Sequence, residues 1–282
     1  MVDLILAIIC SSMVSITMRI SSDKVKNGLC QLAASYLTCF IFAALYVRGT
    51  GFFPKHSALG HTLILGTIGG AVYLAGFVLL QLNIKRSGVV LSSAFMKLGL
   101  IVPMIISVFF FKEEPTAFQL FGFAVAIAAI IVMNSERGSS DSKFHVGLIL
   151  LLLGGGFADA MSKIYDETGV PELSALFLFY IFFTAFLFCV LIIIRKGLRF
   201  EPNDLKYGAL VGIPNFFSSR FLLSSLDSVS AVIVYPTFSV GTMLVVTLAG
   251  ITFFGERLRK NQWLALFMIL AALLLLNIQI QS

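Results

Sequence analysis

Lys97 is the residue of this sequence whose chemistry most needs an explanation. Nine apolar or small residues precede it from Gly88, and a longer apolar run follows it. A charge held at that depth in a bilayer costs about 2.5–3.5 kcal/mol on insertion scales, so it must face a cavity, a counter-ion or a solute. One reading makes it an ammonium that captures an anionic group on a solute. The other makes it a lysine paired structurally with an acid such as Asp159, or one that snorkels to an interface. Asp159 lies in Gly154-Gly155-Gly156-Phe-Ala-Asp-Ala-Met-Ser-Lys163, where a carboxylate could couple transport to H+ or Na+. Lys163 follows one turn later, so an i,i+4 ion pair competes with that role. Arg220 follows Asn215-Phe-Phe-Ser-Ser and precedes Asp227, and an interfacial pair is its expected fate.

Tyr73, Asn215 and Tyr235, the last beside Pro236, bring polar groups into apolar runs. A buried tyrosine needs a hydrogen-bond partner, and a polar cavity supplies one. Ser15 shares a helical face with Ser11; such serines either line a cavity or bond to their own carbonyls. Pro103, six residues after Lys97, can kink its helix and free carbonyls. Glu113 and Glu256 fall at run ends and read as turn and N-cap residues. No HExxH, GxSxG or phosphate-binding loop is present, and His56, His61 and His145 fall in loops. Cys10, Cys30, Cys39 and Cys189 lack metal or disulfide spacing and read as apolar packing residues. No catalytic residue, metal or cofactor is expected.

The elements that position these residues follow from composition. The chain has 282 residues, 59% hydrophobic and 12% charged, with a mean hydropathy of +0.99. Soluble domains run at roughly 45–50% apolar and about 25% charged, so lipid must solvate much of this surface. The net charge of +6 resides in short turns, which points to loop topology rather than to nucleic acid. The first run, Val2 to Ile20, has neither a basic n-region nor a small-residue cleavage site and reads as a retained helix.

Apolar runs of spanning length number ten: 2–20, 29–47, 62–81, 88–111, 117–134, 144–163, 173–194, 205–222, 229–254 and 262–279. The stretch from Ser87 to Asn134 occurs twice. A shift of 143 residues carries Ser87 onto Ser230, Phe95 onto Phe238, Glu113 onto Glu256 and Asn134 onto Asn277 without a gap. The expected fold is therefore all-α and integral to the membrane: ten helices as a 5+5 inverted repeat. Its units are residues 1–138 and 139–282, joined at the polar stretch Ser135 to Lys143. Five spans per unit turn the second unit over, which places a shared cavity at the midplane. Lys and Arg concentrate in the loops after spans 1, 3, 5, 7 and 9, which puts those loops in the cytoplasm and both termini outside.

The Phe-Phe-Gly-Glu of residues 253–256 followed by Gln262-Trp263, and the looser Phe110-Phe111-Lys112-Glu113 with Gln119, resemble the drug/metabolite transporter superfamily in its ten-helix EamA-like form. Phe95-Met-Lys97 through Pro103 to Glu113 also resembles the fourth helix of nucleotide-sugar and triose-phosphate carriers, which hold phosphate with central basic residues. The resemblance covers the whole chain. It implies a secondary transporter of a small polar, anionic metabolite working by alternating access. A lipid-linked or polyprenyl-phosphate flippase, or an exporter of amino acids or drugs, has the same fold. The small multidrug-resistance relatives use a membrane-embedded Glu in the first helix, and no acid occurs here between Leu4 and Ile20. Ten-helix relatives also keep both termini in the cytoplasm, against the Lys/Arg distribution. The expected site is Lys97 with Tyr73, Asn215, Tyr235 and Ser15, with Asp159 as coupling residue and Lys163 and Arg220 as charge partners. The expected partners are the solute, the lipid bilayer and H+ or Na+; no nucleic acid is expected. A monomer or weak homodimer in the plasma (inner) membrane completes the reading.

Overall fold

The computed structural model describes residues 2–47, 49, 51–99, 101–112, 116–134, 142–226 and 231–276. Within its helices, the side chains of residues 107, 133–134, 142–145, 223, 226, 231–233 and 235–236 are not described. The regular elements among the described residues are all helices. The helices are α1 (Val2–Ser21), α2 (Gly28–Val47), α3 (Leu59–Ser87), α4 (Val89–Leu98), α5 (Ile101–Phe110), α6 (Ala117–Asn134), α7 (Ser142–Thr168), α8 (Ser174–Lys196), α9 (Pro202–Leu226), α10 (Ala231–Phe254) and α11 (Lys260–Leu276). With α4 and α5 taken as one broken element, these follow the ten apolar runs. The ends differ where apolar runs stop before the helix does: Lys85 and Arg86 form the last turn of α3 rather than a loop.

Seven helical stretches among the described residues are long and apolar enough to cross a membrane: α1, α2, α3, Val89–Phe110, Val146–Thr168, Pro171–Lys196 and Thr237–Phe254. Ala117–Val132 and Lys260–Leu276 are apolar but shorter. Helix α9 is long enough, but its polar stripe (Asn215, Ser218, Ser219, Arg220, Ser224 and Ser225) lowers its hydropathy.

Packing pairs the first half of the chain with the second. Helix α2 lies against α8 and α9, α3 against α7 and α8, α1 against α9 and α10, and α6 against α11. One apolar cluster runs through the bundle and includes Met18, Tyr36, Phe77, Phe95, Phe182 and Leu273. Small residues set the closest approaches. On α3, a Cβ added at Gly70 would meet the Ile181 carbonyl oxygen at 2.6 Å, and on α9 one at Gly212 would meet the Ser35 carbonyl oxygen at 2.5 Å. Such contacts let helix backbones touch, which drives association where lipid is as apolar as the side chains. Asn83 adds a polar tie, donating to the Gly147 carbonyl of α7 at 3.0 Å.

Gly70→Ala is therefore expected to lower the melting temperature of the purified protein. The overpacking outweighs the roughly 1 kcal/mol of helix propensity that alanine gains, for a net loss of about 1–2 kcal/mol. Gly60→Ala, which has nothing within 4 Å of its added Cβ, should leave the melting temperature unchanged or raise it.

Candidate functional site

The site is built on a broken helix. Pro103 has no amide to give the Gly99 carbonyl four residues back; that carbonyl instead accepts the Val102 amide at 2.8 Å, and Gly99 N–H bonds Met96 O at 3.1 Å. The chain thus turns tightly between α4 and α5, leaving Pro103 in the first turn of α5, where proline is tolerated. Lys97 stands two residues before the break. Its ammonium lies 4.2 Å from the centroid of the Phe238 ring on α10, a desolvated cation–π contact.

The break rests directly on α7. A Cβ at Gly99 would meet the Gly156 amide nitrogen at 2.6 Å and the Leu152 carbonyl oxygen at 2.7 Å, and one at Gly155 would meet Met96 Cγ at 3.0 Å. The Gly154-Gly155-Gly156 run therefore acts by close contact, and α7 continues through it unbroken. Asp159 follows less than one turn later. It is surrounded by the helices, yet other protein atoms do not cover its side chain. Lys97 and Asp159 lie close enough to interact electrostatically. Among the described residues, however, neither makes a direct ion pair.

Tyr73 on α3 faces the same region, within electrostatic range of Asp159. Its hydroxyl donates to Asn215 Oδ1 on α9 at 3.4 Å, and its ring packs on Phe77 at 5.0 Å and Phe182 at 6.0 Å. Asn215 is buried, and among the described residues its Nδ2 has no hydrogen-bond partner; Ser93 Oγ on α4 and Thr242 Oγ1 on α10 are likewise buried and without a partner among them. Ser93 precedes Lys97 by one helical turn and Thr242 follows Phe238 by one, so these hydroxyls sit on the faces that carry the cation–π pair. An unpaired buried donor costs about 1–3 kcal/mol, and a polar solute would satisfy it.

The other sequence-derived residues are placed more variously. Ser15 is buried on α1, one turn from Ser12, which bonds the Ile8 carbonyl at 2.8 Å. Lys163 pairs with Glu167 at 2.7 Å, one turn further along α7. Arg220 stacks its guanidinium 4.6 Å over the Tyr46 ring of α2; Asp227, its expected partner, lies outside the described residues. So does the side chain of Tyr235, on α10. Glu256 caps a helix, but a distant one: it accepts the Val89 and Val90 amides of α4. Phe238, Ser93 and Thr242 were not singled out from the sequence. The signal for Phe238 was present, since it is the repeat partner of Phe95 at the 143-residue offset. The charged residues, by contrast, depart from the repeat: the same offset pairs Lys97 with Val240 and Asp159 with Ile16.

The model of the EamA-like transporter family matches residues 2–135 and again residues 146–278. A protein of Haemophilus influenzae, described only as uncharacterized, is 24% identical over 287 residues and covered to 96% on both sides. A solved crystal structure has the same fold, with a TM-score of 0.64 at 12% identity, 97% of this chain and 94% of that chain being covered. Two family matches on a chain whose described elements are all helices, with seven long and apolar enough to cross a membrane, establish a multi-pass membrane protein. The chain belongs to the EamA-like transporter family, and it is a membrane transporter of the drug/metabolite type whose cargo is a small molecule.

Proposed function

We propose that the protein is a secondary transporter that moves a small polar solute bearing an anionic group by alternating access. The carrying observation is the Lys97 ammonium, set beside a helix break and over Phe238, on helix faces that also carry buried polar atoms with no partner among the described residues. Cations flanked by unmet donors recognise carboxylate or phosphate oxygens. Broken helices near the midplane are where transporters of inverted-repeat architecture bind their solutes.

In this reading the chain spans the plasma (inner) membrane ten times as a 5+5 inverted repeat of residues 1–138 and 139–282. The symmetric packing of α2 on α9 and α3 on α8 supports that architecture. Lys97 anchors the anion, Tyr73, Asn215 and Tyr235 form the wall, and Ser15 completes it from α1. Asp159 binds the coupling H+ or Na+, close enough to Lys97 for the two charges to compete. A duplicated chain holds both halves of the cavity, so a monomer suffices.

A second reading, a flippase for lipid-linked phosphates, draws on a separate feature. An aromatic cleft of about 450 Å³ lies between α2, α3 and α8, lined by Phe40, Phe52, Phe53, Phe179, Tyr180 and Phe183 among others. It would accept an acyl chain while Lys97 met the headgroup. Lipid retained through purification would favour it.

Thermal unfolding across anionic, zwitterionic, neutral and cationic metabolites decides the anchor. A solute at a hundredfold over its Kd should add about 2.7 kcal/mol of stability, for anionic solutes alone, and Lys97→Ala should abolish the gain. Equal stabilisation of both proteins by neutral or cationic solutes would make Lys97 structural. With a stabilising solute in hand, proteoliposome flux tests Asp159. Asp159→Asn is expected to lose uphill accumulation driven by an H+ or Na+ gradient while retaining solute-for-solute exchange. Gradient-driven accumulation at the original rate would remove Asp159 from the coupling role.

A further inference from the structure

The Lys/Arg-rich end of the bundle is stitched together by carboxylates of the second half that hold backbone amides of the first. Glu256, just beyond α10, accepts the Val89 amide at 2.7 Å and the Val90 amide at 3.1 Å, in the first turn of α4. Helix α4 has no cap of its own: Gly88 stands before it at φ +81, without a side chain. A Cβ there would meet the Glu256 carboxylate at 2.7 Å, so only glycine leaves room for this cap. Arg19, at the end of α1, brings Nε to 3.6 Å from the same carboxylate and stacks 5.6 Å over Phe254.

Asp204 repeats the arrangement a short way off. It is fully buried in the first turn of α9 and accepts the Lys26 and Asn27 amides of the α1–α2 connection at 3.2 and 3.4 Å. It also takes the Glu201 amide at 3.2 Å, the reciprocal half of a capping box. Lys26 Nζ meets Glu201 at 2.6 Å, and that hydrogen bond raises the Lys26 pKa. Asn27 Nδ2 donates to the Arg199 carbonyl at 3.0 Å, and Asn203 Nδ2 to the Lys24 carbonyl at 3.3 Å.

We propose that Glu256 and Asp204 form a two-point latch that holds the Lys/Arg-rich end of the solute path shut. Glu256 also acts as a positioning residue for Lys97. This inference rests on the transport reading above. A carboxylate on two amides is a strong, directional contact at low dielectric. It is also carried by one side chain, so it breaks as a unit, whereas interdigitated apolar packing must be taken apart piece by piece. Lys97 lies eight residues beyond the Val89 amide on the same helix. Release of Glu256 therefore frees the N-terminus of α4 and moves the anion anchor with it, joining opening at this end to a change in solute affinity.

The test reads side-specific access and needs no solute. Ser93→Cys, one turn from Lys97 toward the latch, is introduced as reporter, and the protein is reconstituted into proteoliposomes. A charged methanethiosulfonate reagent is added to one face, and labelling is read at residue 93 by peptide mass spectrometry, so the native cysteines stay. Lys24→Cys, exposed on the latched end, reports which face the reagent has reached. The combined Glu256→Gln and Asp204→Asn variant should label about tenfold faster or more from that end, the scale expected when charge-assisted contacts are lost. Labelling from the opposite face should stay the same or slow. Gly88→Ala keeps every charge and displaces Glu256 by contact, with backbone strain at its positive φ added; it should give the same one-sided change and covers the case in which the double variant fails to fold. Unchanged labelling in both variants, or an equal rise from both faces, would reduce these contacts to helix caps and overturn the latch. One-sided labelling together with no stabilising solute in the thermal panel would leave the latch standing and sink the anionic-solute reading instead.

Discussion

Backbone meets backbone where the α4–α5 break lies on α7, because neither Gly99 nor Gly156 carries a side chain to hold the helices apart. The rest of the site depends on that approach. Pro103 denies the Gly99 carbonyl its usual partner and fixes where the helix must turn. Lys97 two residues before the turn and Asp159 three residues after Gly156 are then brought within electrostatic reach of each other. A methyl group at either glycine would push the two charges apart and lengthen the path between them. Since an unmatched charge at this depth costs several kcal/mol, the spacing sets whether the two answer each other or a third group between them.

The halves are joined differently at the two ends of the bundle. At the end that gathers Arg19, Lys24, Lys26 and Arg199, the crossing contacts are polar, carboxylate on amide and amide on carbonyl. Toward the other end they are largely aromatic: Phe52 stacks on Phe179 with centroids 5.2 Å apart, and the Tyr180 hydroxyl donates to the Phe52 carbonyl at 2.7 Å. Polar contacts are few and discrete; aromatic ones are broad and tolerate sliding. A bundle joined in this way has a stepwise end and a compliant end.

Much of this was legible in the sequence because membrane helices announce themselves. The apolar runs located the helices within a few residues, and a lysine inside one was conspicuous. The Phe-x-Gly-Glu motif pointed to the family that the matches on both halves of the chain then established. What could not be read was the identity of distant neighbours. Glu256 looks like a local cap at the end of its own helix, and nothing along the chain says that the amides it holds are Val89 and Val90. Lys163 had three acids within one turn, Asp159, Asp166 and Glu167, and spacing alone does not choose among them. Arg220 found an aromatic face on α2, a contact with no sequence period behind it. Phe238 was hidden by being ordinary, one phenylalanine among 28.

The cross-half packing also bears on how the protein is made. Helices α1 and α2 find their partners in α8, α9 and α10, and Ser224 of α9 reaches back to Asp3. A ribosome adding about 5–20 residues per second needs on the order of ten seconds or more to reach those partners. During that interval Ser12, Ser15, Gln31 and Ser35, all buried in the finished bundle, stand in lipid or against whatever insertion machinery shelters them. The earliest helices are thus the last to be satisfied, and a chain truncated before α9 would present the quality-control proteases of its membrane with exposed polar stripes rather than with a folded half.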